Sequence, residues 1–513
     1  MPAGVDNICV VIGRTRHKMI QVEIIEASRR GARMIEVRLD FLTKAPDFKR
    51  LLAAKPCELV ATVRRQQDGG RWTGEEAERT ILLRQAIVAG FDWVDLETDI
   101  ADEIRRFGKV KRIVSYHNLR EVPHDLEKIY EKMCKQDPDV VKIAVSAQQP
   151  ADNLRVLDLL KSPSRPTVAF CLGDMGFPSR ILAARYGAPF AYAAFNKERT
   201  IALGIPSFEE MKDVYHYHLL NSDTQIFGVI GDPVAHSLSP VIHNAALQQL
   251  DINGVYLPFR VPRSGLQSFL EKFDRFPVQG YSVTIPHKEA ALRLAKEKDP
   301  SASRVGAANT LVQRADGFSA SNTDYQAARD SLLAHLELIA KEGETGQSMP
   351  FPNLQGWKVL QLGAGGVGRA VAHMLRDEGA QVVIANRTHE KAEDLADDVG
   401  CKAATWETRH NIQCELLVNC TSVGMHPNVD ECPVHPSYLH PDMMVFDTIY
   451  NPESTMLIKE AKAHGCTVLT GVDMFVRQAQ MQFLLFTGRE PPRELMTKVV
   501  RRALSPVAMA VEE

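Results

Sequence analysis

Two stretches of the sequence place a lysine and a histidine where both could act on a carbonyl group. Lys142 lies inside the apolar run of residues 140–145, and His117 ends the run of residues 112–117. A lysine in such a run is either an edge residue whose ammonium reaches solvent or a buried amine. Burial disfavours the charged form, so a buried Lys142 could attack a carbonyl carbon as a free amine. The sequence therefore predicts a nucleophile at Lys142, with His117 available for proton transfer.

Charged side chains recur at the ends of the other apolar runs. In the motif Glu36-Val37-Arg38-Leu39-Asp40 the three charges alternate with apolar residues, so they point to one face of a strand. Such alternation is usual on a face exposed to solvent. Helices cover the outside of a parallel barrel, however, so there the charges would face the interior and would have to pair. Arg64 ends a third run, and a cluster of this kind is typical of a site.

A second group of polar residues follows in the other half of the chain. Ser237 and Ser239 precede a predicted helix whose first turn contains Pro240. Two hydroxyls beside free backbone N–H groups can hold a carboxylate, although Ser239 is equally explained as a helix N-cap. Lys288 and Asp324 also lie at predicted helix starts, where a surface lysine and an N-capping aspartate are the alternatives to a functional pair.

A glycine-rich turn predicts a dinucleotide site. Residues 363–368 read Gly-Ala-Gly-Gly-Val-Gly between a predicted strand, 357–362, and a predicted helix, 370–378. In that context the glycines allow a pyrophosphate to approach the helix N-terminus. The next strand ends at Asn386 and Arg387 instead of a carboxylate, so Arg387 could bind a 2′-phosphate. The residues favour NADP over NAD, with an ordinary exposed arginine as the alternative.

The elements that must position these residues follow from periodicity. Helical patterns separate eight short apolar runs in the first 200 residues, which predicts a (β/α)8 barrel with its chemistry at the carboxyl ends of the strands. The runs are residues 8–13, 34–41, 58–64, 93–97, 112–117, 140–145, 167–173 and 189–195. A Gly- and Pro-containing stretch, residues 339–353, predicts a linker before the glycine-rich domain.

Composition narrows the class of protein. The chain has 513 residues, enough for about three domains, with 45% hydrophobic and 24% charged residues. A net charge of −3 without like-charge blocks argues against nucleic acid or an anionic membrane as partner. The nine cysteines are scattered and never spaced Cys-x-x-Cys, which predicts reduced thiols and no structural metal. The first predicted strand begins at about Ile8, so a cytoplasmic location is expected.

The first 220 residues resemble a type I 3-dehydroquinate dehydratase. The matching motifs are Glu-Val-Arg-Leu-Asp, Thr62-Val-Arg64 with Asp68-Gly-Gly, Ser115-Tyr-His117, Val-Lys142-Ile and the segment from Gly173 to Arg180. The resemblance implies that Lys142 forms a Schiff base with the substrate ketone, that His117 shuttles protons and that Asp68 supports this histidine. It also implies substrate binding by Glu36, Arg38, Arg64 and Arg180. The chain departs from the family pattern at Asp68, usually glutamate, and at Ile201 and Ile205, where the family has serine and glutamine.

From residue 226 almost to the C-terminus the chain resembles shikimate dehydrogenase. The motifs are Ser237-Leu-Ser239, Thr284-Ile-Pro-His-Lys288, Gly306-Ala-Ala-Asn309, Asn322-Thr-Asp324, the glycine-rich turn, residues 419–425, 447–452 and 471–474. The resemblance implies that Lys288 and Asp324 flank the carbon that exchanges a hydride, with Lys288 as acid/base. It implies substrate contacts from Ser237, Ser239, Thr284, Asn309, Tyr450, Gln478 and Gln482, and NADP contacts from Gly363, Ala364, Gly365, Gly366, Val367, Gly368, Asn386, Arg387, Thr388, Thr421, Ser422 and Met474.

Together these features predict an α/β protein of three parts. A (β/α)8 TIM barrel in residues 1–220 precedes a two-domain shikimate-dehydrogenase-like unit. Its substrate domain takes residues 226–335 and 475–513, and its Rossmann NADP-binding domain takes residues 354–474. The expected function is dehydration of 3-dehydroquinate followed by NADPH-dependent reduction to shikimate. The alternatives are a quinate/shikimate dehydrogenase whose barrel is weakened, or only binds metabolites, because of Ile201 and Ile205, and a regulatory protein that binds metabolites without turnover.

Overall fold

A computed structural model describes residues 7–53, 55–199, 202, 204–342 and 353–505. Their Cα positions cluster into two compact units. One comprises residues up to 228 with 233–235 and 253–277, and the other comprises residues 229–232, 236–252 and everything from 278 onward. The three-part domain division expected from the sequence stays a prediction.

Eight parallel strands form the first sheet, and all eight overlap the predicted runs. The strands follow each other in the order β7-β6-β5-β4-β3-β2-β1-β8, the arrangement of a nearly closed barrel. The second predicted run is shorter as a strand, because residues 39–41 leave it as a helical turn. The elements are β1 Ile8–Ile12, α1 His17–Arg29, β2 Met34–Arg38, α2 Phe48–Leu52, β3 Glu58–Thr62, α3 Glu76–Ala89, β4 Trp93–Glu97, β5 Lys111–Asn118, α4 Leu126–Cys134, β6 Val140–Ser146, α5 Asp152–Leu159, β7 Thr167–Leu172, α6 Phe177–Leu182 and β8 Ala191–Ala194.

Alternation along these strands divides the barrel interior into an apolar and a polar level. Buried residues such as Met34, Val60 and Ile113 pack together near the strand starts. Because side chains on one face recur every second residue, Glu36 and Ser115 follow on the same inner face. The polar groups therefore lie nearer the carboxyl ends of the strands, and the apolar layer of the barrel interior lies below them.

The second sheet is mixed and has the strand order β10-β9-β11-β13-β14-β12. Strand β13 pairs antiparallel with β11 and with β14, and a tight turn before Gly317 joins β13 to β14. The elements are β9 Gln225–Gly231, α7 Ser239–Gln249, β10 Gly254–Arg260, α8 Leu266–Phe273, β11 Val278–Val283, α9 Lys288–Leu294, β12 Glu297–Lys298, α10 Pro300–Val305, β13 Thr310–Arg314, β14 Gly317–Ser321 and α11 Asp324–Glu342.

The third sheet is parallel in the order β17-β16-β15-β18-β19-β20. This is the Rossmann order, in which ligands bind where the direction of winding reverses, between β15 and β18. Helix α15 packs on α11, and α16 packs on α7. The elements are β15 Lys358–Leu362, α12 Gly366–Asp377, β16 Gln381–Asn386, α13 His389–Val399, β17 Lys402–Thr405, β18 Leu416–Asn419, β19 Met444–Asp447, α14 Met456–Ala463, β20 Thr467–Leu469, α15 Gly471–Thr487 and α16 Arg493–Leu504.

Candidate active sites

Lys142 is buried in the barrel among groups from three other strands. Its Nζ lies 3.0 Å from Oδ2 of Asp95 and 3.3 Å from Oε2 of Glu36. The ring centroid of Tyr192 is 4.0 Å away, and the lysine side chain is 6% exposed. The sequence predicts an uncharged amine here, but two carboxylates hold the ammonium form in ion pairs. The amine must therefore lose a proton before it can attack a carbonyl carbon.

His117, from β5, is suited to receive that proton. Burial, together with the positive charges of Arg64 and Lys142, lowers the pKa of His117 well below its ordinary value. The imidazole is thus neutral near neutral pH, and its Nδ1 has no hydrogen-bond partner among the described residues. Arg65 binds the carboxylate of Asp68 at 2.7 Å, and the support of His117 expected from Asp68 stays a prediction.

Three predicted arginines lie in the barrel unit, and two of them are held by carboxylates. Arg64 contacts Asp95 at 2.8 Å and Glu97 at 2.6 Å. Arg38 makes two bonds to Asp40, at 2.9 and 2.8 Å. Arg180 from α6 is buried over the ring of Phe170, and burial lowers the pKa of Arg180 to about 9. A desolvated guanidinium gains most from an anionic ligand, so Arg180 suits a substrate carboxylate.

Sequence reasoning missed Asp95 and Glu97, both fully interior to the barrel. The signal was present, because Trp93-Val-Asp95-Leu-Glu97 alternates in the same way as the motif around Glu36. Of the two isoleucines that depart from the family pattern, Ile205 packs in the apolar barrel core. Ile201 lies outside the described residues.

A second buried ion pair lies in the other unit. Nζ of Lys288, at the start of α9, is 2.6 Å from Oδ2 of Asp324, at the start of α11. Asn309 donates from Nδ2 to Oδ1 of the same carboxylate at 3.0 Å and to Thr323 at 2.9 Å. The surface-lysine and N-cap alternatives are therefore wrong, since Lys288 and Asp324 are both buried and bind each other.

The two serines lie beside the predicted tyrosine. Helix α7 begins at Ser239, and its N-cap residue is Leu238, which has no capping side chain. The N-cap alternative for Ser239 is therefore wrong; its N–H donates to Oγ of Ser237 at 3.2 Å. Tyr450, stacked on Phe475 at 3.9 Å, is hydrogen-bonded to Ser237, while burial raises the pKa of its phenol. Thr284 follows β11, and its backbone N–H bonds to β9.

The two predicted glutamines, both on α15, are hydrogen-bonded within the protein. Gln478 donates to the carbonyl of Phe475 at 2.9 Å. Gln482 accepts from Ser282 at 2.7 Å and donates to Asn309 O and Thr310 Oγ1 at 2.9 and 3.1 Å. Both donor hydrogens of Gln482 are thus used in joining α15 to β13. Its structural role is established, and a direct bond to a substrate hydroxyl stays a prediction.

The glycine-rich turn closes tightly against Lys288. Helix α12 begins at Gly366, four residues earlier than expected, and Arg369 N–H bonds to the carbonyl of Gly365. A methyl group at Gly368 would lie 2.3 Å from the carbonyl oxygen of Gly363, so only glycine fits there. No side chain caps the helix, and a methyl at Gly365 would meet nothing within 4 Å. Free N–H groups beside open space fit a pyrophosphate.

Replacing Gly366 with alanine is expected to displace Lys288. The added methyl would lie 2.8 Å from Lys288 Cδ, and the lysine cannot swing away freely because Asp324 holds Nζ. Misplacing a reacting group by about 1 Å costs up to about 100-fold in turnover. Initial rates of the hydride-transfer reaction expected from the sequence would measure the loss. An unchanged rate in Gly366→Ala would contradict the steric argument.

The remaining predicted cofactor residues lie around this turn. Asn386 accepts from Ala364 N–H at 3.3 Å and donates to the carbonyl of Thr388, while Arg387 is exposed. Thr421 donates from Oγ1 to the side-chain oxygen of Asn419, and the neighbouring Ser422 is exposed. Met474 is 4% exposed and packs in the apolar core beside the third sheet. Its packing role is clear, and contact with a nicotinamide stays a prediction.

Four family models match successive segments of the chain. Type I 3-dehydroquinase matches residues 8–222, and the shikimate dehydrogenase substrate binding domain matches 229–311. Shikimate / quinate 5-dehydrogenase matches residues 346–423, and the shikimate 5′-dehydrogenase C-terminal domain matches 471–501. The two buried lysines therefore lie in segments of two different enzyme families.

One relative matches both segments and so shows the family of the whole chain. The bifunctional 3-dehydroquinate dehydratase/shikimate dehydrogenase, chloroplastic, of Arabidopsis thaliana is 36% identical over 514 residues, covering 96% of this chain and 84% of that protein. The chain belongs to this bifunctional family. A shikimate dehydrogenase (NADP(+)) of Methanosarcina barkeri is 39% identical over 55% of this chain and 99% of its own. A solved shikimate dehydrogenase from Thermus thermophilus is 36% identical over 55% of this chain and 100% of its own, with a TM-score of 0.47.

In this bifunctional enzyme a buried carboxylate organises the loops at the carboxyl ends of β18 and β19. Asp447 accepts from Asn419 Nδ2 at 3.1 Å, from Thr455 Oγ1 at 2.7 Å and from Ile449 N–H at 3.1 Å. Asn419 in turn bonds Thr421. Burial outweighs these bonds and raises the pKa of Asp447 from 3.8 to about 6.

The raised pKa makes folding stability depend on pH. A carboxyl group whose folded pKa is raised contributes stability that is complete below its unfolded pKa and is lost as pH rises through the folded pKa. A rise from 3.8 to about 6 corresponds to a loss of about 3 kcal/mol between roughly pH 4 and pH 7. Asp447→Asn cannot ionise, so denaturant titrations should find it more stable than the parent at about pH 8 and equal at about pH 4. A parallel decline of both proteins would contradict this assignment.

Over the described ranges, no three His, Cys, Asp or Glu side chains are grouped to hold a metal ion. All nine cysteines fall within those ranges and are free thiols. Among the helices that the structure describes, none combines the length and hydropathy needed to cross a bilayer.

Proposed function

We propose that the barrel dehydrates 3-dehydroquinate to 3-dehydroshikimate through an imine on Lys142. The observation that carries this proposal is the buried Lys142 amine, flanked by Asp95 and Glu36, with a neutral histidine in its electrostatic field. An enzyme that only bound an anionic metabolite would have no use for a lysine already neutralised by two carboxylates. A nucleophile that must become positively charged in an imine does need such counter-ions.

Each residue then has a defined part in the dehydration. Lys142 gives up a proton, which His117 can accept, and its lone pair attacks the ketone carbon. Water leaves, and a protonated imine forms. His117 gives the proton it took from Lys142 to the water that departs as the imine forms. It then takes a proton from the carbon next to the imine and returns it to the hydroxyl on the following carbon, which leaves as water. Hydrolysis of the imine releases the enone product and restores the amine. Arg180 holds the substrate carboxylate throughout.

We propose that the second half reduces the resulting ketone to shikimate. Lys288 donates a proton to the oxygen of the substrate carbonyl, and Asp324 keeps the ammonium in place at 2.6 Å. Ser237 and Ser239 bind the substrate carboxylate, with Tyr450 beside them. Thr284 and Asn309 bind ring hydroxyls, and the contacts proposed for Gln478 and Gln482 add to these.

NADPH is the proposed cofactor, and it supplies the hydride when bound. The turn of residues 363–368 fits a pyrophosphate, and the exposed Arg387 after β16 can pair with a 2′-phosphate. Asn386, Thr388, Thr421, Ser422 and Met474 complete the proposed contacts. Relatives named shikimate dehydrogenase (NADP(+)) support the same choice.

Two assays on the full chain test the proposal. Incubation with 3-dehydroquinate and borohydride should leave a covalent adduct on Lys142, located by peptide mass spectrometry. Oxidation of shikimate with NADP⁺ should exceed oxidation with NAD⁺, and oxidation of shikimate should exceed that of quinate. An unlabelled Lys142 together with no dehydration would exclude the barrel assignment. A preference for quinate would favour the alternative of a quinate dehydrogenase.

A cytoplasmic location is also proposed. Its support is the nine free thiols, which persist in a reducing compartment. The Arabidopsis relative carries the word chloroplastic in its name. Fractionation of the source cells with antibody detection would distinguish a cytoplasmic from an organellar protein.

A further inference from the structure

Asp95 is the buried acidic group that lies nearest to the reacting amine. It stands in β4 with its side chain fully buried. Its carboxylate contacts Lys142 Nζ at 3.0 Å and Arg64 at 2.8 Å, and it accepts from Ser115 Oγ at 2.5 Å. Glu36 is farther from the amine, at 3.3 Å. Three partners from three different parts of the barrel therefore fix the orientation of this one carboxylate.

Stability alone does not account for a carboxylate in this place. Removing charges from water costs several kcal/mol per ion, so a buried ion pair contributes little net stability compared with apolar residues of similar size. Burial by itself would raise the pKa of Asp95, but the charges of Arg64 and Lys142 lower it below its ordinary value. Asp95 is thus ionised during the reaction and presents a fixed negative charge to the lysine nitrogen.

The neighbouring Glu97 shows what a supporting carboxylate looks like. It is two residues along the same strand, equally interior, and contacts Arg64 at 2.6 Å and Arg79 at 2.5 Å. It makes no ion pair with Lys142 among those found in the described structure. The two carboxylates share a strand, a face and one partner, and they differ in contact with the amine.

We propose that Asp95 is a positioning residue for Lys142, aiming its nitrogen at the substrate carbonyl and serving as counter-ion to the protonated imine. This inference rests on the proposed imine chemistry of the barrel. The resting ammonium loses its proton before attack, and the protonated imine then restores a positive charge at nearly the same place, so Asp95 faces that charge again in the covalent intermediate. The ring face of Tyr192, 4.0 Å from Nζ, covers another side of the nitrogen and also favours positive charge.

Asp95→Asn removes the charge and keeps the size of the side chain. We expect the dehydration kcat to fall about 100-fold, the scale found when one preorganised electrostatic group is removed. The acidic limb of the kcat/KM pH profile should move to lower pH, because an ammonium with one fewer counter-ion loses its proton more easily. The other ionisable groups facing the amine are unchanged in the variant: Glu36 from β2, Arg64 after β3, His117 from β5, Tyr192 from β8 and Cys9 from β1.

Glu97→Gln is the matched control, since it removes a buried charge from the same strand without touching Lys142. Its acidic limb should stay where it is in the parent. Ser115→Ala is a second variant, which frees Asp95 to turn while keeping its charge; we expect about a 10-fold fall in kcat with no shift of the limb. Shikimate oxidation by the same chains, together with circular dichroism, reports whether each variant is folded.

The outcomes separate this inference from the proposed function. A shifted limb in Asp95→Asn but not in Glu97→Gln supports the positioning role. Equal falls in both variants without a shift, or an unchanged Asp95→Asn, overturn it. If Asp95→Asn does not fold, an unchanged Ser115→Ala overturns it as well. Absence of a borohydride adduct on Lys142 of the parent protein would instead refute the imine chemistry itself.

Discussion

Lys142→Arg is expected to abolish dehydration, by at least about 10⁴-fold in kcat, while shikimate oxidation continues at the parental rate. Arginine keeps the positive charge that faces Asp95 and Glu36, so the buried carboxylates remain paired. A guanidinium stays protonated in proteins and cannot form an imine. The variant therefore separates the nucleophile from the ion pair, which a change to methionine could not do.

Steady-state assays of both reactions on one preparation would measure this. Lys142→Met is the companion variant, and it should lose dehydration equally and also unfold at lower denaturant, because two buried carboxylates lose a partner. Retention of more than about a hundredth of the parental dehydration by Lys142→Arg would mean that the lysine acts only as a charge. A loss of both activities would show that the variant damages more than the barrel.

Lys288→Met should cause the second largest loss of activity, and this loss should affect shikimate oxidation instead of dehydration. Shikimate oxidation is expected to fall by about 10² to 10⁴ in kcat, the range for loss of a general acid or base. Dehydration should be unchanged, because Lys142 and His117 are untouched. Asp324→Asn removes the carboxylate that lies 2.6 Å from Lys288 Nζ and should lower the kcat of shikimate oxidation by a similar factor. The double variant Lys288→Met/Asp324→Asn should have about the same kcat as either single variant, because the two residues act as one unit.

Lys296→Met serves as the matched control, since Lys296 follows α9 and is exposed. Hydride transfer can be isolated by measuring single turnovers with enzyme in excess. A rise in KM alone, with kcat intact, would assign Lys288 to substrate binding. Full additivity of Lys288→Met and Asp324→Asn would contradict their action as one unit.

Local pattern was enough to locate much of this enzyme. The eight barrel strands overlap the eight predicted runs, because buried parallel strands need continuous apolar sequence. The glycine-rich turn could be predicted from the sequence because position 368 has no room for a Cβ atom, so only glycine can occur there. The same reasoning put the start of α12 too late, because glycines 366 and 368 disfavour a helix locally while the turn requires one.

Residue type and position in an apolar run singled out Lys142 and His117. Lys288 and Asp324 were predicted as functional through the resemblance to shikimate dehydrogenase, since their positions at helix starts favoured a surface lysine and an N-cap. The tertiary structure alone decided which groups they meet. In the folded chain Lys142 forms an ion pair with Asp95, and Asp68 forms one with Arg65. The side-chain amide of Gln482 donates both of its hydrogens to groups of the protein. The physical reason is range: strand and turn formation depend on residues a few positions apart, whereas Lys142 meets carboxylates 47 and 106 residues away, brought to it by barrel closure.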